Sequence, residues 1–340
     1  MKQIKIFFED FGNSLDPNDN FITNILREQY EVIIDKKPDY LFFSDFGYNH
    51  LKYQDCIKIF YSGENTVPDF NLCDYAIATH HLSFDDRYLH YPQYLVYNDG
   101  LEYEKIGSEI FDREQVLNRK FCNFVYSNGK GADPIREQFF KKLSQYKKVD
   151  SGGRYLNNIG GPVLDKMAFI RNYKFTIAFE NSSVSGYTTE KLVQPMAINS
   201  VPIYWGNPDV HLDFNKNSFV FVNNFDTLDA AVEEIIRLDN DDESYIKIIQ
   251  NILYNDYTSK KDWSKKLLVF LQNVIEQDQT KAKRVTDYGW IVAYRKKHEI
   301  MGQVFGRKIS LLRYILKTLN RFSNAKKNIN FYISSCRRIR

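Results

Sequence analysis

Short runs of apolar residues alternate with amphipathic stretches along most of this chain. In the first third, the runs predicted as β-strands are Ile4–Phe8, Glu31–Ile34, Tyr40–Phe43, Ile57–Tyr61 and Tyr75–Ala78. A helix is predicted over Asn20–Tyr30, because its apolar residues recur at the spacing of one helical face. Strands separated by helices are typical of parallel α/β sheets.

The same alternation begins again after residues 100–118, a polar stretch without clear periodicity. The strands predicted there are Phe121–Tyr126, Phe175–Phe179, Val201–Tyr204 and Phe219–Val222. The helices predicted with them are Pro134–Tyr146, Thr188–Ile198, Thr227–Leu238 and Trp263–Gln277. We therefore predict an α/β fold of two Rossmann-like domains that face a cleft.

The predicted domain boundaries follow this division. The first domain is expected to span residues 1–117 and the second residues 118–275. Residues 276–306 are expected to form a C-terminal helical segment, and residues 307–340 a basic tail. We expect the C-terminal helices to pack back across the joint between the domains.

Composition and charge exclude two classes of protein. An apolar share of 43% in 340 residues argues against disorder and suits two domains. Residues 307–340 contain ten Lys or Arg and no Asp or Glu, which leaves 36 basic against 43 acidic residues elsewhere. We expect no nucleic-acid binding by this acidic body, because a phosphate backbone requires a basic face.

The cysteines and the chain start indicate a compartment. Cys56, Cys73, Cys122 and Cys336 are scattered without a C-x-x-C pair, as expected of reduced thiols inside a cell. The chain begins with a strand pattern rather than the apolar core of a signal peptide. No segment approaches the roughly 20 uncharged apolar residues of a membrane span. A soluble, cytoplasmic body is therefore expected.

The basic tail combines positive charge with an apolar stripe. One helical face is apolar and the opposite face is basic: Ile309, Leu312, Ile315, Leu316, Leu319 and Phe322 against Arg313, Lys317 and Arg321. A basic amphipathic helix is typical of binding to an anionic membrane surface. The alternative is a helix that docks on the acidic body of the same chain. We predict the membrane surface, at the inner face of the cytoplasmic membrane.

The stretch from Phe179 to Lys191 carries the most informative motif. A predicted strand ends, a loop of small residues follows, and a helix begins near Thr188 or Thr189, each a good N-cap. In doubly wound sheets, ligands bind beyond the carboxyl ends of the strands, where a helix N-terminus can hold a phosphate. Lys191 is unfavourable for the helix itself but suits a bound pyrophosphate.

This stretch resembles the donor-binding signature of the α1,3/4-fucosyltransferases, including those of Helicobacter. The matching residues are F-E-N-S at 179–182, G-Y-T-T-E-K at 186–191 and P-I-Y-W-G at 202–206. Further matches are Y-S-G-E-N at 61–65, F-N-L-C-D-Y-A at 70–76, F-C-N-F-V-Y-S-N at 121–128, P-I-R at 134–136 and V-D-S-G-G-R at 149–154. Thr188 stands where the family commonly has valine, a β-branched residue of similar size.

The resemblance implies a type-B glycosyltransferase whose first domain binds the acceptor and whose second binds GDP-fucose. It implies an inverting transfer of L-fucose from GDP-β-L-fucose to the 3-hydroxyl of N-acetylglucosamine or glucose. The expected acceptor is a lactosamine-type, lipid-linked oligosaccharide of a surface glycan such as lipopolysaccharide O-antigen. Transfer to a 4-hydroxyl and a catalytically silent glycan-binding protein with the same fold stay open as alternatives.

The resemblance also assigns a general base. Glu64 matches the carboxylate that takes the proton from the acceptor hydroxyl as this attacks the anomeric carbon. It follows Gly63 directly beyond a predicted strand, which would direct its side chain into the cleft. Without the flanking match, a surface loop glutamate would be the simpler interpretation.

Five more residues match donor contacts of the family. Arg136 and Lys191 resemble the pair of cations that neutralises the pyrophosphate and replaces a divalent metal. Asn181, Tyr187 and Glu190 resemble further contacts, with Glu190 as an acceptor for ribose or fucose hydroxyls. GDP-fucose would be a co-substrate, and no other cofactor is expected.

Other patterns are given structural interpretations. Asp239-Asn240-Asp241 has the D-x-D spelling of metal-dependent transferases, but we interpret it as a solvated turn after a helix. His80 and His81 lack a third ligand nearby, so no metal site is expected. An aromatic group could equally contact the acceptor sugar or pack the first domain: Tyr88, His90, Tyr91, Tyr94 and Tyr97.

Overall fold

The computed structural model describes residues 1–12, 15–108, 110–253 and 260–304. The predicted basic tail, residues 307–340, lies outside the described residues, as does Cys336. Among the described cysteines, Cys56, Cys73 and Cys122 are buried free thiols. Burial raises the pKa of Cys56 to about 11, so this thiol is a poor nucleophile near neutral pH.

The first domain is built around a six-stranded parallel sheet. Its strands are β1 (Lys2–Glu9), β2 (Tyr30–Ile34), β3 (Tyr40–Phe43), β4 (Ile57–Ser62), β5 (Tyr75–Ala78) and β6 (Tyr88–His90), in the order β2-β1-β3-β4-β5-β6. Helix α1 (Phe21–Arg27) begins at Asn20, whose side chain accepts from the N–H groups of Ile22 and Thr23. It ends before Tyr30, where the chain re-enters the sheet as β2.

The second domain is built around a five-stranded parallel sheet. Its strands are β7 (Lys120–Phe124), β8 (Val149–Ser151), β9 (Tyr173–Phe179), β10 (Val201–Trp205) and β11 (Val220–Phe221), in the order β11-β10-β9-β7-β8. Every side chain of β9 and β10 is buried, as expected for central strands covered on both faces. The predicted α/β fold of two parallel sheets is confirmed.

The remaining helices connect and cover the two sheets. They are α2 (Leu101–Lys105), α3 (Arg113–Leu117), α4 (Ile135–Tyr146), α5 (Lys166–Ile170), α6 (Glu190–Met196), α7 (Leu228–Asp239), α8 (Asp242–Leu253), α9 (Lys260–Ile275) and α10 (Gln279–Ala282). Residues 290–304 are also helical. None of the described helices is long and apolar enough to cross a membrane.

The chain returns to the first sheet near its end. Helix α9 buries Leu267, Leu271 and Val274 in the apolar core that holds the side chains of β1 and β4. Its end is fixed by polar contacts as well, since the Tyr30 hydroxyl donates to Glu276 Oε1 at 2.8 Å. Along the sequence, the second domain therefore lies between two segments that both contribute to the first domain. The boundaries proposed at residues 117, 275 and 306 stay a prediction.

The predicted strands and helices are present, with differences at their ends. Helix α6 is shorter than the predicted Thr188–Ile198, because the N-cap is Thr189 and the last helical residue is Met196. Strands β6 and β8 were not predicted, because runs of three residues show no clear periodicity. Helices α2 and α3 occupy the polar joint, and both are only five residues long.

Candidate functional site

The strand order of the second sheet reverses between β7 and β9. Ligands of open parallel sheets bind outside the carboxyl ends of the strands at such a point. Helix α4 follows β7 and helix α6 follows β9, so both helices start beside this point. Arg136 is the second residue of α4 and Lys191 the second residue of α6. The fold therefore brings together two cations that are 55 residues apart in sequence.

A buried carboxylate holds the start of α6. Glu180 directly follows β9 and is fully buried. It accepts from the backbone N–H of Thr189 at 2.8 Å and from the Thr189 hydroxyl at 2.8 Å. The Lys191 ammonium lies 3.2 Å from the same carboxylate and 2.9 Å from the Thr189 hydroxyl. Glu180 thus positions both the helix N-cap and the lysine, a role that the sequence analysis did not assign.

The environment of Lys191 keeps its side chain charged. Burial opposes the ammonium, but the carboxylates of Glu180 and Glu190 outweigh it and raise the pKa of Lys191 above its ordinary value. Glu190 Oε1 lies 3.7 Å from the ammonium. The lysine side chain is 16% exposed, so the charge is held firmly but stays accessible. This is suitable for an anionic ligand.

A third cation lies beside α6. Burial favours the neutral form of Glu190, but Lys191 and Lys166 lower its pKa below the ordinary value. Lys166 is the first residue of α5, and burial lowers its pKa in turn. The sequence offered no signal for Lys166, because α5 is a five-residue helix in a segment without clear periodicity.

Arg136 is buried beneath the β9–α6 loop, residues 180–189. Its Nη2 donates to the Phe179 carbonyl at 2.9 Å and to Asn181 Oδ1 at 2.8 Å, and the guanidinium lies 4.1 Å from the Tyr126 ring centroid. Its Nε is buried without a partner among the described residues. An unsatisfied buried donor costs about 1–3 kcal/mol, so this nitrogen suits an acceptor atom supplied by a ligand.

Asn181 and Tyr187 shape the loop between the two cations. The Asn181 carbonyl accepts from the N–H of Asp133, which ties the loop to the start of α4. Tyr187 is 3% exposed, and burial together with the charge of Glu180 raises its pKa. Its phenol is therefore neutral near physiological pH and can donate a hydrogen bond. The five predicted donor contacts thus lie on the elements that converge at the strand switch.

Glu64 lies on the other side of the joint, directly beyond β4. Its carboxylate is exposed, and its backbone N–H donates to Ser62 Oγ at 3.0 Å. Ser62 in turn donates to Asp45 Oδ2 at 2.5 Å. The next residue, Asn65, contacts Ser182, so the turn that carries Glu64 lies beside the β9–α6 loop. The turn that presents Glu64 is therefore fixed by contacts that do not involve its carboxylate.

Close contacts join the first domain to the β9–α6 loop. Asn65 Nδ2 donates to Ser182 Oγ at 2.7 Å, and Thr79 Oγ1 donates to the Gly186 carbonyl at 2.7 Å. Gly186 has φ +82°, and a Cβ there would lie 2.4 Å from the backbone nitrogen of His81. Only glycine suits this position. The residue beside Glu64 thus contacts the loop that carries the predicted donor residues.

Two structural interpretations from the sequence need correction in part. Asn240 and Asp241 follow the helix as expected, but the Asp239 side chain is 4% exposed and pairs with Lys174 at 3.2 Å and Lys147 at 2.5 Å. His81 does have potential ligands nearby in space, because the fold brings it together with His90 and Asp213.

The aromatic group near residue 90 packs the first domain for the most part. Tyr88, Tyr91 and Tyr94 are at most 8% exposed, so their rings pack inside the protein. Tyr97 is 44% exposed. Of the two alternatives that the sequence left open, packing of the first domain therefore explains three of the four tyrosines.

Comparison with known proteins identifies the family. Residues 6–97 match the α-(1,3)-fucosyltransferase FucT N-terminal domain. Residues 116–288 match glycosyltransferase family 10 (fucosyltransferase), C-terminal. The chain belongs to glycosyltransferase family 10, and the resemblance predicted from the sequence motifs is confirmed.

Relatives and solved structures agree with this assignment. The chain is 32% identical over 297 residues to the α-(1,3)-fucosyltransferase FucT of Helicobacter pylori, across 75% of this chain and 61% of that protein. It thus spans less than two thirds of that relative. A crystal structure of an α1,3-fucosyltransferase with GDP matches with a TM-score of 0.70 and 29% identity, covering 82% of this chain and 91% of the other. A crystal structure with GDP-fucose matches with a TM-score of 0.69 and 28% identity, covering 82% and 92%.

Proposed function

We propose that this protein transfers L-fucose from GDP-β-L-fucose to the 3-hydroxyl of N-acetylglucosamine or glucose, with inversion at the anomeric carbon. The observation that carries the proposal is the pair of cations at the strand switch, Lys191 and Arg136, with the turn of Glu64 across the joint. The solved α1,3-fucosyltransferases with GDP and GDP-fucose support the choice of donor. The acceptor is a lactosamine-type, lipid-linked oligosaccharide of a surface glycan such as lipopolysaccharide O-antigen.

In this proposal the second domain binds the nucleotide. Lys191 and Arg136 bind the pyrophosphate, and they stabilise the negative charge that GDP gains as it leaves. These fixed cations take the place of a divalent metal in the transfer step. Glu190 accepts hydrogen bonds from donor hydroxyls, while Asn181 and Tyr187 complete the contacts.

The first domain supplies the base. Glu64 takes the proton from the acceptor hydroxyl as its oxygen attacks the anomeric carbon on the face opposite GDP. The new C–O bond forms while the bond to the β-phosphate oxygen breaks, so one displacement inverts the configuration. The exposed position of Glu64 leaves room for an acceptor sugar.

An acceptor panel tests the proposal. The protein is incubated with GDP-fucose and either Galβ1,4-GlcNAc or Galβ1,3-GlcNAc, and released GDP and the product linkage are measured. We expect GDP release with the first acceptor and an α1,3-linked product. Galactose occupies the 3-hydroxyl of the second acceptor, so turnover there alone would show transfer to the 4-hydroxyl. If the protein binds glycan but releases no GDP with either acceptor, the result would indicate the catalytically silent alternative.

The proposal places the enzyme in the cytoplasm, at the inner face of the cytoplasmic membrane. We expect that deletion of residues 307–340 leaves activity on a soluble oligosaccharide unchanged and abolishes sedimentation with anionic liposomes. Each basic residue near an anionic surface contributes about 1 kcal/mol, and the segment has ten. High salt should release the full-length protein only in part, because salt screens charge but not apolar contact.

The same truncation distinguishes the two interpretations of the tail. A truncated protein that unfolds, or loses activity on the soluble acceptor, would show that the tail packs on its own chain. Sedimentation with neutral liposomes is the control for charge, and it should be weak for both forms of the protein.

A further inference from the structure

Three side chains from separate segments meet beside the joint between the domains. His81 follows β5, His90 ends β6, and Asp213 follows β10 in the second domain. Nε2 of His81 lies 3.4 Å from Asp213 Oδ2, and Nε2 of His90 lies 3.6 Å from Asp213 Oδ1. The three side chains are 19%, 18% and 7% exposed, and their potential ligand atoms all lie within 4.8 Å of one another.

The hydrogen bonds around His90 fix which of its nitrogens carries the proton. Nδ1 of His90 lies 3.1 Å from the carbonyl oxygen of His80. A carbonyl can only accept, so Nδ1 donates, and in the neutral ring Nε2 presents a bare lone pair. This lone pair points toward a carboxylate, which is also only an acceptor. Nε2 of both histidines and Oδ2 of Asp213 are buried without a hydrogen-bond partner among the described residues.

The three side chains lie close together without other partners for these atoms in the described part of the chain. The two ring centroids are 4.3 Å apart, and Asp213 lies against Nε2 of both rings. One divalent cation placed between the three groups would be bonded by all three unpaired atoms at once.

We propose that His81, His90 and Asp213 bind one divalent transition-metal ion of the zinc class. Zinc bonds to nitrogen and oxygen of about 2.0–2.1 Å place tetrahedral ligands about 3.3 Å apart, close to the two nitrogen–oxygen distances of 3.4 and 3.6 Å between the histidines and Asp213. Two imidazoles favour zinc or its neighbours over magnesium and calcium, which prefer oxygen ligands. Histidines that bind a metal commonly donate a hydrogen bond from the other ring nitrogen, and His90 Nδ1 donates in this way to a backbone carbonyl.

The site would link the two domains. His81 and His90 belong to the first domain, whereas Asp213 belongs to the second domain. The His81 backbone lies against Gly186 of the β9–α6 loop. A bound ion would therefore connect the two domains beside that loop. This inference does not depend on the proposed transfer reaction.

Metal titration of the full-length, tag-free protein tests the site. The protein is stripped with a chelator, dialysed, and titrated with Co²⁺ followed by Zn²⁺. We expect one Co²⁺ per chain with the intense visible absorption of a tetrahedral site, displaced by Zn²⁺. His90→Ala and Asp213→Asn should weaken the affinity for Co²⁺ by more than about 100-fold. Loss of a residue that only supports a metal ligand costs up to about 100-fold, and loss of a ligand itself should cost more. His211→Ala is the matched control, since His211 is exposed two residues before Asp213.

Thermal unfolding separates loss of the site from loss of the fold. Zn²⁺ should raise the Tm of the parent protein and of His211→Ala, and leave that of Asp213→Asn unchanged, because only a bound ligand stabilises the native state. In chelator, Asp213→Asn should show cooperative unfolding. A parent protein that binds no Co²⁺ at micromolar concentration would overturn the proposal, as would His90→Ala and Asp213→Asn variants that bind it like the parent.

Discussion

Replacing Glu64 by glutamine should lower turnover by about 100-fold or more while GDP binding stays unchanged. Glutamine has nearly the same size but cannot take a proton from the acceptor hydroxyl. The turn at Glu64 is fixed by its backbone N–H on Ser62 and by the bond from Ser62 to Asp45, and neither uses the Glu64 carboxylate. The free energy of unfolding should therefore hardly change. Steady-state kinetics with saturating donor and calorimetry with GDP measure the two quantities.

A matched control is Glu28→Gln, which changes another exposed glutamate of the first domain, beside the end of α1. Its turnover should equal that of the parent. If Glu64→Gln also retains near-normal turnover, Glu64 does not act as the base. If Glu64→Gln weakens GDP binding strongly, its carboxylate instead organises the β9–α6 loop. The first result would require a different base.

The elements that the sequence predicts well are those with a local signal. The strands that form the centres of both sheets are mostly apolar, as burial of both faces favours, although each cited strand carries one buried lysine, Lys58 in β4 and Lys174 in β9. Helix starts are equally local, since the side chains of Asn20 and Thr189 cap their own next turns. The family motifs give the predicted site residues, but their roles stay predictions until variants are measured.

What the sequence does not predict depends on contacts between distant segments. An amphipathic pattern shows that α9 has an apolar face, but not that this face packs on β1 and Tyr30. Glu180 can be noticed as a charge after an apolar strand, yet its function depends on the loop that returns Thr189 and Lys191 to it. The cluster of His81, His90 and Asp213 spans more than 120 residues and has no spacing motif.

Removing the Lys191 ammonium should weaken GDP and GDP-fucose binding alike, by about 1.5–3 kcal/mol for a charged hydrogen bond. Lys191→Ala alone also leaves Glu180 buried without its cation, and breaking a buried pair in this way costs about 3–5 kcal/mol of stability. A drop in affinity could then reflect unfolding rather than lost contact. The double variant Glu180→Gln/Lys191→Met resolves this, because it removes both charges while glutamine can still accept from the Thr189 N–H.

We expect the double variant to recover most of the stability that Lys191→Ala loses, while its affinity for GDP stays low. Glu180→Gln alone keeps the lysine, so it should bind GDP within a few-fold of the parent. Arg136→Lys is a further comparison, since lysine retains the charge but cannot donate to Phe179 and Asn181 in the same fork. Calorimetry with GDP and denaturant unfolding give both quantities for each variant. GDP affinity that recovers together with stability in the double variant would show that Lys191 supports the fold and does not bind the pyrophosphate.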